Sequence, residues 1–255
     1  MGPALSTAVR SSPVAVASIA DDNDSIEFCG TCAFSSACIS NGYNKTALRD
    51  LHVLVEHVGP FQAGDHLFRE GDSFNAIAAV RAGVVKTTIV DSHGREQVLG
   101  FHLPGEVIGL NAIHNNRYPC DAIALDTVML CRFSFPQIAT LAARLPGLQQ
   151  HLFKLLSADI GKAAVLAGDF SADERMAAFL LSLSRRYAAR GYSPTRLHLP
   201  MARADIANYL GLAAETVSRV LRRFQQDGLI AVDRREMEIL DPARLGALAA
   251  PVLRD

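Results

Sequence analysis

Residues 203–230 read RADIANYLGLAAETVSRVLRRFQQDGLI. Ala207 and Leu212, then Val217 and Leu221, sit where two short helices would pack across a tight turn. Gly211 lies between them, where the chain needs the left-handed backbone that glycine takes most readily. On the second helix Glu215, Ser218 and Arg219 fall at i, i+3 and i+4. They therefore share one face near the helix N-terminus, where a recognition helix meets base edges. Arg219 can donate two hydrogen bonds to guanine O6 and N7, and Glu215 can accept from cytosine N4. Arg222 and Arg223, further along, suit phosphates. A plain helical hairpin with a solvated Glu–Arg pair is the bland alternative. The glycine turn, the arginines and the β-ribbon expected from IAVDRREMEIL at 230–240 together favour a helix–turn–helix that binds DNA.

Upstream, ADERMAAFLLSLSRRYAARG at 172–191 predicts a helix. Asp173 and Glu174 in its first turn and Arg185, Arg186 and Arg190 in its last complement the helix dipole, and Gly191 suits the C-cap. LHLPM at 197–201 predicts a short strand. From Ser171 onward there are thirteen Arg, no Lys and ten Asp plus Glu, whereas the chain as a whole carries a net charge of −1. A mildly basic C-terminal part suits an anionic partner, although the excess is too small to identify one.

From Pro136 to Gly168 the apolar spacing is helical. Phe153, Leu156, Ile160, Ala163 and Ala167 form a narrow seam of the type that pairs two helices, with Leu148, Leu152 and Leu155 in a second row beside it. One row can face the protein's own sheet and the other a second copy of the chain; an ordinary amphipathic helix remains the alternative. Before this helix, from about Pro60 to Phe135, short apolar runs are broken by glycines. GVVKTTIV at 83–90 and AIALDTVMLCRF at 122–133 look like strands, and DSHG at 91–94 like a hairpin turn. Many short strands at this spacing predict a β-sandwich or jelly roll.

The 255 residues, 49% hydrophobic and 20% charged, suit one or two globular domains. No apolar run is long enough for a membrane helix. Residues 1–28, rich in Ala, Ser and Val and ending in DDNDSIEF, read as a disordered tail. A soluble cytoplasmic protein is expected. There, clustered cysteines are metal ligands or redox groups more often than disulfides. No Walker loop, GxGxxG, HExxH or nucleophile elbow appears, so an enzyme is not expected.

Three of the five cysteines crowd one short stretch: Cys29, Cys32 and Cys38, spaced C-x2-C-x5-C. A closed site needs a fourth ligand, and Cys120 and Cys131 are the candidates. Thiolates suit Zn²⁺ or an iron–sulfur cluster. Structural zinc sites usually have two C-x2-C knuckles, and the second is absent here. A [4Fe–4S] cube tolerates three local ligands and one distant one. The small, polar GTCAFSSA at 30–37 is suited to wrapping it closely.

The order of β-rich region, long helix and helix–turn–helix resembles the CRP/FNR family of bacterial regulators. FHLPGEVIGLNAI at 101–113, LSRRYAARGYSP at 183–194 and the stretch at 203–230 resemble its FNR (ANR) branch. The resemblance runs from about Phe28 to near Leu240. It implies an α+β fold with an N-terminal β-roll (a double-stranded jelly roll), a long dimerisation helix and a C-terminal winged helix–turn–helix. The implied domains are a sensory domain at 29–135, the dimerisation helix at 136–170 and the DNA-binding domain at 171–255.

The family's cyclic-AMP receptors follow Gly-Glu with an arginine that pairs the cyclic phosphate. This chain has Gly105-Glu106 but then Tyr118-Pro119-Cys120, so cyclic-AMP sensing is not expected. The recognition motif Glu215-Thr216-Val217-Ser218-Arg219 resembles the FNR branch and implies DNA contacts that include Thr216, on palindromic TTGAT-N4-ATCAA-type sites. Likeness of TVMLCRF at 127–133 to the family's distant cysteine context implies Cys131 as the fourth ligand and Cys120 as a bystander.

A [4Fe–4S] cluster, a homodimer, contact with RNA polymerase and regulation of anaerobic or microaerobic genes by oxygen, or by nitric oxide, are implied in turn. A zinc or thiol sensor and a haem-type gas sensor of the same family are the alternatives. Relatives commonly carry an acidic residue where this chain has Ala163. Losing that charge implies an apo protein that dimerises more readily than theirs.

Overall fold

The computed structural model describes Cys38, residues 54–166 and residues 168–253, without the side chains of 160–166. The tail at 1–28, Cys29, Cys32, Ala167 and the side chains of Ile160 and Ala163 lie outside the described residues.

Eight strands form the roll: β1 (Val55–Phe61), β2 (His66–Phe68), β3 (Ala76–Ala82), β4 (Val85–Val90), β5 (Glu96–His102), β6 (Val107–Ile108), β7 (Asp121–Ala124) and β8 (Val128–Ser134). They pair in two four-stranded sheets, ordered β1-β8-β3-β6 and β2-β7-β4-β5, with antiparallel neighbours throughout. Val80, Val85, Ile108, Ala122, Ala124, Val128 and Leu130 pack into one core drawn from both sheets. This is the double-sheet roll that the glycine-broken runs imply.

The stretch at 122–133 makes two strands rather than one, because Leu125–Thr127 turns the chain from one sheet to the other. Gly83 shows how tight the corners are. Its φ is +76°, and a Cβ there would lie 2.4 Å from the Thr127 carbonyl oxygen. DSHG closes the β4–β5 hairpin: the Asp91 carboxylate accepts from the amides of His93 and Arg95, and Gly94 N–H donates to the Asp91 carbonyl.

The expectation of one long helix over 136–170 needs correction. Two helices occupy it, α1 (Phe135–Arg144) and α2 (Pro146–Leu166). Pro146 has no N–H to continue α1, and its ring forces Leu145 into an extended conformation, φ −120° and ψ 93°. On α2, Leu148 is fully buried, and Leu152, Leu155 and Leu156 pack beside it on a cluster containing Ile77, Ala79, Phe133 and Ile138. The second row thus faces the protein's own sheet and takes Leu156 with it. Phe153 points outward and is 60% exposed.

The C-terminal part opens with α3 (Ala172–Ala188), started by a capping box between Ser171 and Glu174. Then follow β9 (Arg196–His198), α4 (Arg203–Leu210), α5 (Ala214–Gln226), β10 (Ile230–Asp233), β11 (Glu236–Ile239) and α6 (Pro242–Ala249). Gly211 caps α4 at φ 65° and ψ 36°, the left-handed turn expected of it. β10 and β11 form the ribbon, extended to a three-stranded sheet by β9. The terminal helix α6, capped by Asp241, is not among the elements expected from the sequence; it packs against α3.

Candidate nucleic-acid interface and cysteine site

Helix α5 is amphipathic. Val217, Val220, Leu221 and Phe224 are buried, while Glu215, Ser218, Arg219, Arg222 and Arg223 are exposed and Thr216 is half-buried. Burial of four apolar side chains on one face fixes the rotation of the helix, and the polar face is left outward. Ser218 donates its hydroxyl to the Ala214 carbonyl at 3.0 Å. Arg219 donates to Thr216 Oγ1 at 3.3 Å, so its guanidinium lies back toward the helix N-terminus. Glu215 has no hydrogen-bond or ion-pair partner among the described residues.

The two downstream arginines differ. Arg223 is paired with Asp173 of α3, whereas Arg222 has no ion-pair partner among the described residues. Sequence reasoning treats them alike, because Asp173 is 50 residues away. It also passes over the ribbon tip, where Arg234 (φ 55°) and Arg235 are exposed at the β10–β11 turn. The DRRE run is the available signal.

A second unanticipated feature joins the DNA-reading half to the roll. Arg186 donates to both carboxylate oxygens of Glu106, at 2.8 and 2.6 Å, and to the Phe101 carbonyl at 2.6 Å. Arg190 donates to Glu106 at 2.8 Å and also to the Pro104 carbonyl. The Arg190 side chain is only 4% exposed. Burial alone would raise the Glu106 pKa; attraction by Arg186 and its hydrogen bond, then Arg190 and His102, outweigh it and hold the carboxyl at about 2.

Other polar ties flank this clamp. Lys86 bridges Glu96 and Asp205, at 2.9 and 2.8 Å. Asn208 accepts from Val98 N–H at 2.6 Å and donates to the Glu96 carbonyl at 2.6 Å. Arg186 and Arg190, read from sequence as dipole charges, also meet a carboxylate 80 or more residues away. Gly105-Glu106, the part of a cyclic-nucleotide cassette that this chain retains, has its carboxylate engaged by the protein's own arginines. At the position where the cassette's arginine is missing, Tyr118 stacks on Phe68 with ring centroids 3.9 Å apart.

The cysteines fall in two environments. Cys131 lies on β8, the strand between β1 and β3, with His57 and Ala79 as its neighbours in register. Cys38 and Cys131 both pack, partly buried, against the apolar cluster that receives the inner row of α2. Cys120 is elsewhere. It is fully buried beside Asn111, whose amide lies 3.5 Å from its sulfur, and burial pushes its thiol pKa up, which disfavours the thiolate that a metal needs.

Among the described residues no group of three or more His, Cys, Asp or Glu side chains converges as a metal site. Cys38 and Cys131 supply two soft sulfur donors packed against one apolar cluster, the donor type that an iron–sulfur centre takes. Cys29 and Cys32 lie outside the described residues. On α2, His151 hydrogen-bonds to the backbone of Cys38, while its Nε2 is buried without a partner among the described residues. Burial lowers the affinity of this ring for a proton, against the Cys38 contact, and Lys154 lowers it further.

Comparison with known proteins covers both halves. A Crp-like helix-turn-helix domain model matches residues 174–248, and a cyclic nucleotide-binding domain model matches residues 59–144. The transcriptional activator protein FnrA of Stutzerimonas stutzeri is 42% identical over 224 residues, covering 87% of this chain and 92% of that protein. The transcriptional activator protein anr of Pseudomonas aeruginosa is 41% identical with the same coverage. The fumarate and nitrate reduction regulatory protein of Escherichia coli is 39% identical over 87% of this chain and 90% of its own length. Among solved structures, FixK2 from Bradyrhizobium japonicum superposes with a TM-score of 0.70 at 26% identity, over 77% of this chain and 98% of that one. No helix among the described residues is long and apolar enough to cross a membrane. With the roll, the outward-facing reading helix and relatives matched along most of its length, the chain belongs to the FNR branch of the CRP/FNR family, whose members are DNA-binding transcription regulators and not enzymes.

Proposed function

We propose that this regulator senses oxygen through a [4Fe–4S] cluster held by Cys29, Cys32, Cys38 and Cys131, and binds palindromic TTGAT-type DNA as a homodimer. The observation that carries the reading is that Cys38 and Cys131, far apart in sequence, both pack against the apolar cluster that seats α2. When bound, the cluster supplies a centre that oxygen or nitric oxide degrades. Cys38 and Cys131 tie the N-terminal segment to the sheet beside α2, so the way they are held bears on how α2 sits. Phe153, outward on α2, is offered to a partner helix. Two α5 helices in such a dimer would stand about 34 Å apart, one turn of DNA. Arg219 then reads guanine, Glu215 reads cytosine, Ser218 and Thr216 line the same face, and Arg222 neutralises phosphate. In air the tie loosens and DNA affinity falls, which couples the metal state to DNA binding. Regulation of anaerobic genes through RNA polymerase, in the cytoplasm, follows from this reading.

The test is an anaerobic absorption spectrum with iron and acid-labile sulfide assays. A brown protein with both elements supports the cluster. A colourless protein containing zinc, or a sharp Soret band from haem, overturns it. Cys29→Ser, Cys32→Ser, Cys38→Ser and Cys131→Ser should each abolish cluster and DNA binding, with Cys120→Ser near neutral. Loss in Cys120→Ser with retention in Cys131→Ser would reverse the ligand assignment.

A further inference from the structure

The inner face of α2 carries Leu148, Leu152 and Leu155, all packed on the sheet. His151 lies on that same face, three residues from Leu148 and four from Leu155. A leucine at 151 would continue the row without any polar atom to satisfy. Instead the ring hydrogen-bonds to the backbone of Cys38, and its other nitrogen, Nε2, is buried with no partner among the described residues. An unsatisfied buried ring nitrogen is a cost that packing does not require. The contact with Cys38 is what the histidine gains over leucine.

The position also matters. His151 lies one turn after the start of α2 and two residues before the exposed Phe153. It therefore connects the backbone of a cysteine to the helix that presents Phe153. Cys38 also reaches α2 through non-directional apolar packing on the shared cluster. A hydrogen bond differs from such packing because it fixes distance and direction. A shift of the Cys38 backbone would pull on α2 through this bond.

We propose that His151 is the positioning residue that couples the Cys38 segment to the dimer helix, so that the state of the cysteine site is passed to α2 through the contact between its ring and the Cys38 backbone. The inference rests on the reading of Cys38 as a cluster ligand and names the residue by which that site reaches the helix. His151 is not itself a ligand.

The test uses the full-length protein, reconstituted anaerobically with iron and sulfide, in wild type, His151→Leu and His151→Gln. Leucine keeps the apolar packing and removes the hydrogen bond; glutamine keeps an N–H donor on an unbranched stem. Iron and sulfide content is measured first, then the monomer–dimer equilibrium by sedimentation with and without the cluster. His151→Leu is expected to retain the cluster and to lose about two- to tenfold of the dimer tightening that the cluster brings, the range of one hydrogen bond. His151→Gln is expected to restore it. Full tightening in His151→Leu, or a Gln variant as defective as Leu, overturns the coupling role. If His151→Leu does not fold, His151→Met takes its place with the same expectation. A wild type that binds no cluster overturns the cluster reading and this assignment together, whereas a brown wild type beside an unaltered Leu variant overturns this assignment alone.

Discussion

Among the described residues the roll meets the rest of the molecule at two junctions, and they are built differently. Toward the DNA-reading half a shared apolar core is overlaid by directional bonds: Glu106 is held by Arg186 and Arg190, Lys86 by Glu96 and Asp205, and Asn208 exchanges hydrogen bonds with β5. Toward α2 the junction is apolar, made by leucines on a sheet, with His151–Cys38 as the polar contact between the helix and the cysteine segment. Ionic contacts set geometry and resist partial displacement. Leucine rows tolerate small slides. The contrast assigns the first junction to holding and the second to moving, and substitutions on either side can break it.

The largest effect is expected at the clamp. Glu106→Gln leaves the buried Arg190 and the partly buried Arg186 without their carboxylate, and the loss should approach that of breaking a buried pair, about 3–5 kcal/mol. Urea denaturation measures it; a loss below about 1 kcal/mol would show that the junction does not hold. The pH dependence follows from the depressed carboxyl. A group whose folded pKa is lowered stabilises the fold above its unfolded value, and that contribution disappears as pH falls through the folded one. For Glu106 the window runs from the ordinary glutamate value of 4.5 down to about 2. The stability gap between wild type and Glu106→Gln should therefore stay flat above about pH 5 and close below it. A gap that closes near neutral pH would point to a different titrating group.

Next comes DNA recognition, which depends on both junctions. Arg219→Ala should cost about 1–3 kcal/mol on the specific site and relax discrimination at the guanine. Equal weakening on random DNA would rule out base reading by Arg219. Arg222→Ala should weaken binding across sequences and flatten the salt slope by about one. Arg223→Ala should flatten it less, because Arg223 already has Asp173 as a partner. Equal slopes for the two variants would mean that the Asp173 pair opens on DNA.

The smallest effect is expected on the apolar side. Burial in a helix seam is worth about 0.8 kcal/mol per CH₂. Ala163→Asp would replace such a contact with two facing carboxylates and should shift the apo protein toward monomer, leaving the cluster-bound dimer largely competent. Sedimentation of the apo form decides; a monomeric wild type unchanged by the substitution would place Ala163 outside the seam.

Much of this architecture is legible in the sequence, for local reasons. The helix–turn–helix stands out because Gly211 and the buried face of α5 are short-range patterns. The roll does so because its glycines mark tight corners. Periodicity also separates the two leucine rows of α2, but which row faces the sheet depends on packing against Ile77, Phe133 and Ile138, and Leu156, in the outer row by spacing, packs with the inner one. The break at Leu145-Pro146 is readable from proline chemistry, yet the helical spacing on either side of it masks the interruption. The clamp is not legible. Arg186 and Arg190 have a sufficient local explanation as helix-terminal charges, and their real partner lies across a domain boundary that no periodic pattern spans. Pairing of Arg223 with Asp173 is hidden for the same reason.

The main apolar core has a practical consequence for protein engineering. It is shared: Val84, Val98, Phe101 and Leu103 of the roll lie in one cluster with Phe179, Leu180, Ile206 and Leu210 of the DNA-reading half. Phe101 also meets Phe179 and Tyr209 as an aromatic group with ring centroids 5.4–6.1 Å apart. A fragment cut near residue 170 would lay these side chains open to water and be prone to precipitate. Swapping in the DNA-reading half of a relative to redirect the regulator to new promoters would fail for the same reason, unless β5 and the Leu103–Glu106 turn travel with it. The exchangeable module in this molecule is larger than the DNA-binding domain, and its seam runs through the roll.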